Sequence, residues 1–169
     1  MLTSNRRRNL YYCESLETTV ELWHLGHIEV DIARTRYQLE REAMQEARYI
    51  RIYNDEFGES HFDDLVVGLP PVDFAPPAPP LNFARLFPAK DWGFLGVPAD
   101  WAGDVPHSSP RRQVFCFLAG EFEVTASDGS RRSFQPGNVL LLEDTSGKGH
   151  STRILGPQQG LIVTISLQD

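Results

Sequence analysis

The chain has 169 residues, 41% of them hydrophobic, enough for one packed core plus an appendage. Its formal charge of −7 and pI near 5.2 argue against a nucleic-acid groove or an anionic membrane surface, since both need clustered Lys and Arg. Two cysteines, Cys13 and Cys116, are too few for a disulfide framework, and no uninterrupted apolar stretch comes after the arginines at residues 6–8. The expectation is a soluble, cytoplasmic protein with neither a nucleic-acid nor a membrane partner.

Residues 1–47 differ in character from the remainder of the chain. They are charged, lack proline and end in RTRYQLEREAMQEAR, where strong helix formers surround the apolar anchors Tyr37, Leu39 and Met44. This predicts a helix from about residue 31 to residue 48. Before it, Val20, Leu22 and His24, then Ile28, Val30 and Ile32, alternate like strands around Gly26, although a longer helix uses the same residues. Residues 1–47 therefore read as an N-terminal extension, helical in the preferred reading, that serves as a packing or dimerisation arm of a homodimer.

From residue 48 to residue 169 the pattern is all β. YIRIY alternates, and FGESHFDDLVV comes next across a turn at Gly58. Residues 69–80, LPPVDFAPPAPP, hold six prolines; proline donates nothing to a ladder, so this segment is an extended strap. Strand candidates then come at LNFARLF, WGFLGVP, QVFCFLA, EFEVTA, RRSF, VLLLE, HSTRIL and LIVTISL, separated by Gly, Pro, Asp and Asn. Many short strands at near-regular spacing predict a sandwich or barrel.

The chemistry concentrates between residues 107 and 150. His107 and His150 are two imidazoles far apart in sequence that a closed barrel brings together. Alternation puts Gln113, Phe115 and Phe117 on one face of their strand and Phe122 with Val124 on one face of the next; if Gln113 faces inward, the aromatics line an apolar cavity suited to a small molecule. An imidazole withdrawn into such a cavity favours its neutral form and suits general base work. By parity with Gln113, Arg111 is the inward-facing cation for a carboxylate or phenolate. Trp92 and Trp101 are candidates to wall or lid the site. The turn EDTSGKGH carries glycines at 147 and 149 around Lys148; it lacks the spacing of a phosphate loop and reads as a rim turn that aims His150 inward.

These segments resemble a cupin. His107-x-Ser109-x-x-x-Gln113, with Gly120 beyond it, aligns with the first cupin motif, and Pro136-Gly137 with His150 aligns with the second; PRRQ and LLEDTSGKGH resemble a subgroup of small single-domain cupins. The resemblance runs from about residue 49 to residue 167 and implies a double-stranded β-helix, or jelly-roll barrel. It also implies a metal centre of three histidines and a glutamate, from which this chain departs. Serine stands at the second histidine position and glutamine at the glutamate, leaving His107, Gln113 and His150 as candidate ligands. Glu143, Asp144, His61 and Glu123 are further side chains able to supply a missing carboxylate or imidazole.

The leading expectation is a cupin-type enzyme acting on an apolar cyclic or aromatic oxygenated small molecule by oxygenation, isomerisation, cyclisation or lyase chemistry. A divalent Fe, Mn, Ni or Zn would assist it; without metal, His150 transfers the proton while His107 and Gln113 orient the substrate. The alternative is a non-catalytic ligand-binding or sensing cupin with a degenerate metal site.

Overall fold

The computed structural model describes residues 44–168. They form eleven strands: β1 (Gln45–Asn54), β2 (Ser60–Leu69), β3 (Pro71–Val72), β4 (Leu81–Asn82), β5 (Ala89–Val97), β6 (Gln113–Ala119), β7 (Glu121–Ala126), β8 (Arg131–Phe134), β9 (Val139–Glu143), β10 (His150–Leu155) and β11 (Gly160–Leu167). The fold class is all-β, as the strand pattern predicts, with no helix among the described residues. A six-stranded sheet runs β2-β1-β9-β6-β11-β5, and a three-stranded sheet runs β10-β7-β8. Pairing is antiparallel throughout except where β1 lies parallel to β9.

The two sheets pack face to face through alternating side chains. The small sheet contributes Phe122, Val124, Ala126 and Phe134, the large sheet Ile52, Phe117, Leu140, Leu142 and Ile162, all buried in one cluster. Phe117 stacks on Phe134 with ring centroids 4.9 Å apart and tilts against Phe122 at 5.2 Å, so one side chain of the large sheet is wedged between two of the small one. On the outer face of the large sheet Glu143 receives Arg51 Nε and Arg112 Nε, each at 2.5 Å.

Two local expectations are corrected. The helix predicted to reach residue 48 gives way to β1 from Gln45: Gln45 pairs with Leu69 and Arg48 with Val66, and a ten-residue ladder overrides local helix preference. The rest of that helix, and the strand-or-helix alternation before it, lie outside the described residues. The candidate LNFARLF is strand only at Leu81–Asn82, which pairs with Pro71–Val72 across the proline-rich strap. The strap's prolines leave too few backbone donors for a longer ladder.

Candidate functional site

His107 and His150 are paired through the backbone. Each N–H donates to the other's carbonyl at 2.9 Å, making an isolated antiparallel bridge between the approach to β6 and the start of β10. Directly opposed residues project to the same side, and the two imidazole rings stand 5.0 Å apart, tilted by 48°. Gly149, at φ 67°, makes this approach possible, because a Cβ there would lie 2.2 Å from the His107 carbonyl oxygen. The substitution Gly149→Ala is therefore expected to cost about 2–3 kcal/mol, read as a lowered midpoint in urea unfolding.

The two rings differ in environment. His107 is exposed and its Nδ1 sits 3.0 Å from the Val105 carbonyl oxygen. His150 is 4% exposed, and its Nδ1 lies 2.6 Å from Oδ2 of Asp144, which is fully buried. A carbonyl and a carboxylate only accept, so each neutral ring carries its proton on Nδ1 and presents Nε2 as a lone pair. Asp144 Oδ1 has no hydrogen-bond partner among the described residues, so the His150 N–H is the side-chain donor that compensates this buried carboxylate.

Asp144 lies one residue beyond β9, and its backbone oxygen accepts the Ser109 N–H at 3.0 Å. The inward alternation of Leu140 and Leu142 continues to Asp144, a sequence signal by which its inward aim is legible. Gln113 is buried: its amide donates to Ser109 Oγ at 3.0 Å, and its carbonyl accepts from Thr164 Oγ1 at 3.1 Å. Ser109 Oγ in turn donates to the Arg111 carbonyl at 2.8 Å.

The remaining candidates scatter. Phe117 and Phe122 are core residues packed on each other, with Phe115 against the same cluster. Trp92 is 68% exposed and lies edge-on to Phe94 on β5, an edge strand of the large sheet. Trp101 covers Gly103, whose carbonyl accepts the Thr152 N–H of β10. Arg111 precedes β6, so strand parity does not govern it; it is exposed and shares a cavity of about 580 Å³ with Lys90 and Ser166. Ser166 pairs with Gln113 across β6 and β11.

The metal centre implied by the resemblance does not fit these donors. Two imidazole nitrogens are free, while both ends of the Gln113 amide and the Ser109 hydroxyl are already hydrogen-bonded. Asp144 is committed to the far nitrogen of His150, Glu143 to two arginines, and Glu123 to Arg153 at 2.8 Å. Both His61 nitrogens face carboxylates. Among the described residues no group of three or more His, Cys, Asp or Glu is arranged to hold a metal ion.

No family model and no curated protein matches the chain. Among solved structures it is similar to the Cnp3 cupin domain of Schizosaccharomyces pombe, at 15% identity and TM-score 0.39, covering 76% of this chain and 88% of that one. It is also similar to an ethanolamine utilization protein Q of Salmonella typhimurium, at 19% identity and TM-score 0.31 over 74% of this chain and 97% of that one. Protein NMB1881 of Neisseria meningitidis matches at 18% identity and TM-score 0.33, over 46% and 72%. Likenesses this distant carry no function across; the all-β assignment stands on the strand pairing. No helix among the described residues is long and apolar enough to cross a membrane.

Proposed function

We propose that the chain is a cupin-type small-molecule enzyme that moves a proton without a resident metal, with His150 as the base. The observation that carries this reading is the buried Asp144–His150 pair facing the exposed His107 ring. A carboxylate that holds Nδ1–H orients the imidazole, fixes its tautomer and stabilises the imidazolium formed once Nε2 has taken a proton. His107 Nε2 accepts a hydrogen bond from a substrate hydroxyl and so orients the substrate, while the His150 imidazolium returns its proton to a neighbouring atom of the same substrate. Isomerisation, cyclisation and lyase steps that begin at an acidified C–H or O–H suit this pair.

The test uses cyclic and aromatic keto and hydroxy acids in heavy water, with proton NMR following deuterium entry at carbon. Wild-type protein is expected to exchange at least one member and to do so equally well after exhaustive chelation. Exchange that persists in His150→Ala, or that disappears with the chelator, contradicts the reading. Ligand binding without turnover is favoured by the closed Gln113–Ser109–Thr164 network, which leaves no free polar group at the second-histidine and glutamate positions of the family pattern. That outcome is read as a raised melting temperature with no exchange.

A further inference from the structure

Away from His107 and His150, a third histidine ties together two turns. His61 Nδ1 lies 2.8 Å from Oδ2 of Asp128, and its Nε2 lies 3.1 Å from Oδ2 of Asp55. Both partners are carboxylates, which only accept, so satisfying both contacts takes a proton on each ring nitrogen and a charged imidazolium. The carboxylates are pre-positioned by their own turns. Asp55 Oδ1 accepts the Phe57 and Glu59 N–H groups at 2.9 Å each, and Asp128 Oδ1 accepts the Ser130 N–H at 2.8 Å and its hydroxyl at 2.5 Å.

The turn bearing Asp55 also carries the segment that leads into β10. Gly58 O accepts the Lys148 N–H at 2.9 Å, and a Cβ at Gly147 would lie 2.4 Å from that same oxygen. Lys148 is ion-paired with Glu59. Ser60 Oγ donates to the Gly149 carbonyl at 2.6 Å, while the Ser60 N–H donates to Ser127 Oγ at 2.8 Å and the Ser127 N–H returns to Ser60 Oγ at 2.7 Å. The two hairpin turns and the residue before His150 therefore share one hydrogen-bonded junction, and His61 ties the hairpins together ionically across it.

We propose that His61 is a charged rivet joining the β1–β2 and β7–β8 turns, and that its deprotonation loosens the turn that presents His150. The groups facing it are Asp55, Asp128 and the Tyr53 ring 6.0 Å away, with the Glu59–Lys148 pair on the adjoining turn. The Asp55 and Asp128 hydrogen bonds hold the His61 pKa above the ordinary histidine value. Asp55 is held below the ordinary carboxylate value, first by the Glu59 N–H and then by His61; for Asp128, burial acts upward and hydrogen bonds from Ser130 and His61 outweigh it. With its folded pKa raised, His61 contributes fully below the unfolded histidine value of about 6.5, and that contribution is lost as pH rises through the higher folded value. The aspartates' contribution is lost only as pH falls through their depressed values.

The test does not depend on any enzymatic activity. In the full chain, nitrogen-15 NMR of His61 and amide exchange at Lys148 and Ser60 are followed from about pH 5 to about pH 9, with exchange corrected for its intrinsic pH dependence. The expected result is two protonated ring nitrogens at neutral pH, titration above about 6.5, and a protection loss of about tenfold or more at Lys148 along the same curve. Asp128→Asn removes one carboxylate and is expected to lower the His61 midpoint; His61→Gln is expected to abolish the pH-dependent step at Lys148. A His61 midpoint at or below the ordinary value overturns the proposal, as does Lys148 protection that ignores His61's titration.

Discussion

Asp144→Asn is expected to lower proton-transfer turnover by about 10²- to 10⁴-fold while leaving the chain folded. The asparagine side chain has the size of the aspartate, so the buried space beside His150 stays filled. What changes is the tautomer: an amide N–H turned toward Nδ1 makes that nitrogen the acceptor and moves the proton to Nε2, which then has no lone pair for substrate. The corresponding change at the base, His150→Ala, is a less clean probe. It strands a fully buried carboxylate whose other oxygen already has no partner, and an uncompensated buried charge typically costs about 3–5 kcal/mol. A turnover loss in His150→Ala thus mixes chemistry with unfolding, whereas a loss in Asp144→Asn at unchanged urea midpoint isolates the tautomer. His107→Ala, at an exposed ring, is expected to leave the midpoint nearly unchanged.

Phe117→Ala is expected to cost about 3–5 kcal/mol, the range for emptying a fully buried aromatic position. Phe117 is 1% exposed and touches both layers: Phe115 on its own strand, Phe122 and Phe134 on the facing sheet. Removing the ring takes out an aromatic stack and leaves a void between sheets whose backbones are held apart by their own ladders, so the site closes poorly. Phe117→Leu, which keeps most of the volume, is expected to lose less than half as much. Urea unfolding followed by tryptophan fluorescence checks both, with Trp92 on β5 and Trp101 in the loop beyond it as reporters.

Much of this architecture is legible in the sequence because period-two alternation is a direct imprint of a half-buried strand. Phe122, Val124 and Ala126 alternate with half-buried neighbours along β7, and Gln113 and Phe117 share the buried face of β6. Glycine at 149 reads as part of a rim turn that aims His150, and the structure supplies why glycine stands there: the close approach of the His107 carbonyl. Other features are not local. The strand Gln45–Arg48 is written in helix-forming residues, and only its ladder with Val66–Leu69 makes it β. Arg111 reads as inward by extrapolating strand parity past the end of the strand; in the structure it is exposed at the bend over residues 111–112, while Arg112 takes the outer face with Glu143, as the alternation from Gln113 has it.

The site itself is half legible. Two histidines at the right separation announce a meeting point, but the residue that completes the pair, Asp144, looks in sequence like a turn residue beside Glu143; the alternation of Leu140 and Leu142 singles it out only when carried one residue past β9, to the position that is totally buried against His150. Gln113 reads as a weak ligand at a glutamate position. In the fold its amide is saturated by Ser109 and Thr164, so it acts as a strut between β6 and β11. His61, read in sequence as a spare imidazole for a metal centre, instead meets carboxylates on two turns, Asp55 six residues away and Asp128 sixty-seven away.

If the buried carboxylate of Asp144 sets the tautomer of His150 and leaves Nε2 as the working base, nitrogen-15 NMR of the His150 ring in chelator-treated protein will show it. The predicted spectrum, once the ring is neutral, has a strongly deshielded proton on Nδ1, an unprotonated Nε2, and inversion of that pattern in Asp144→Asn. A proton resting on Nε2 in the wild-type chain, or an Nε2 signal that moves on removal of a bound metal, would contradict that role for His150.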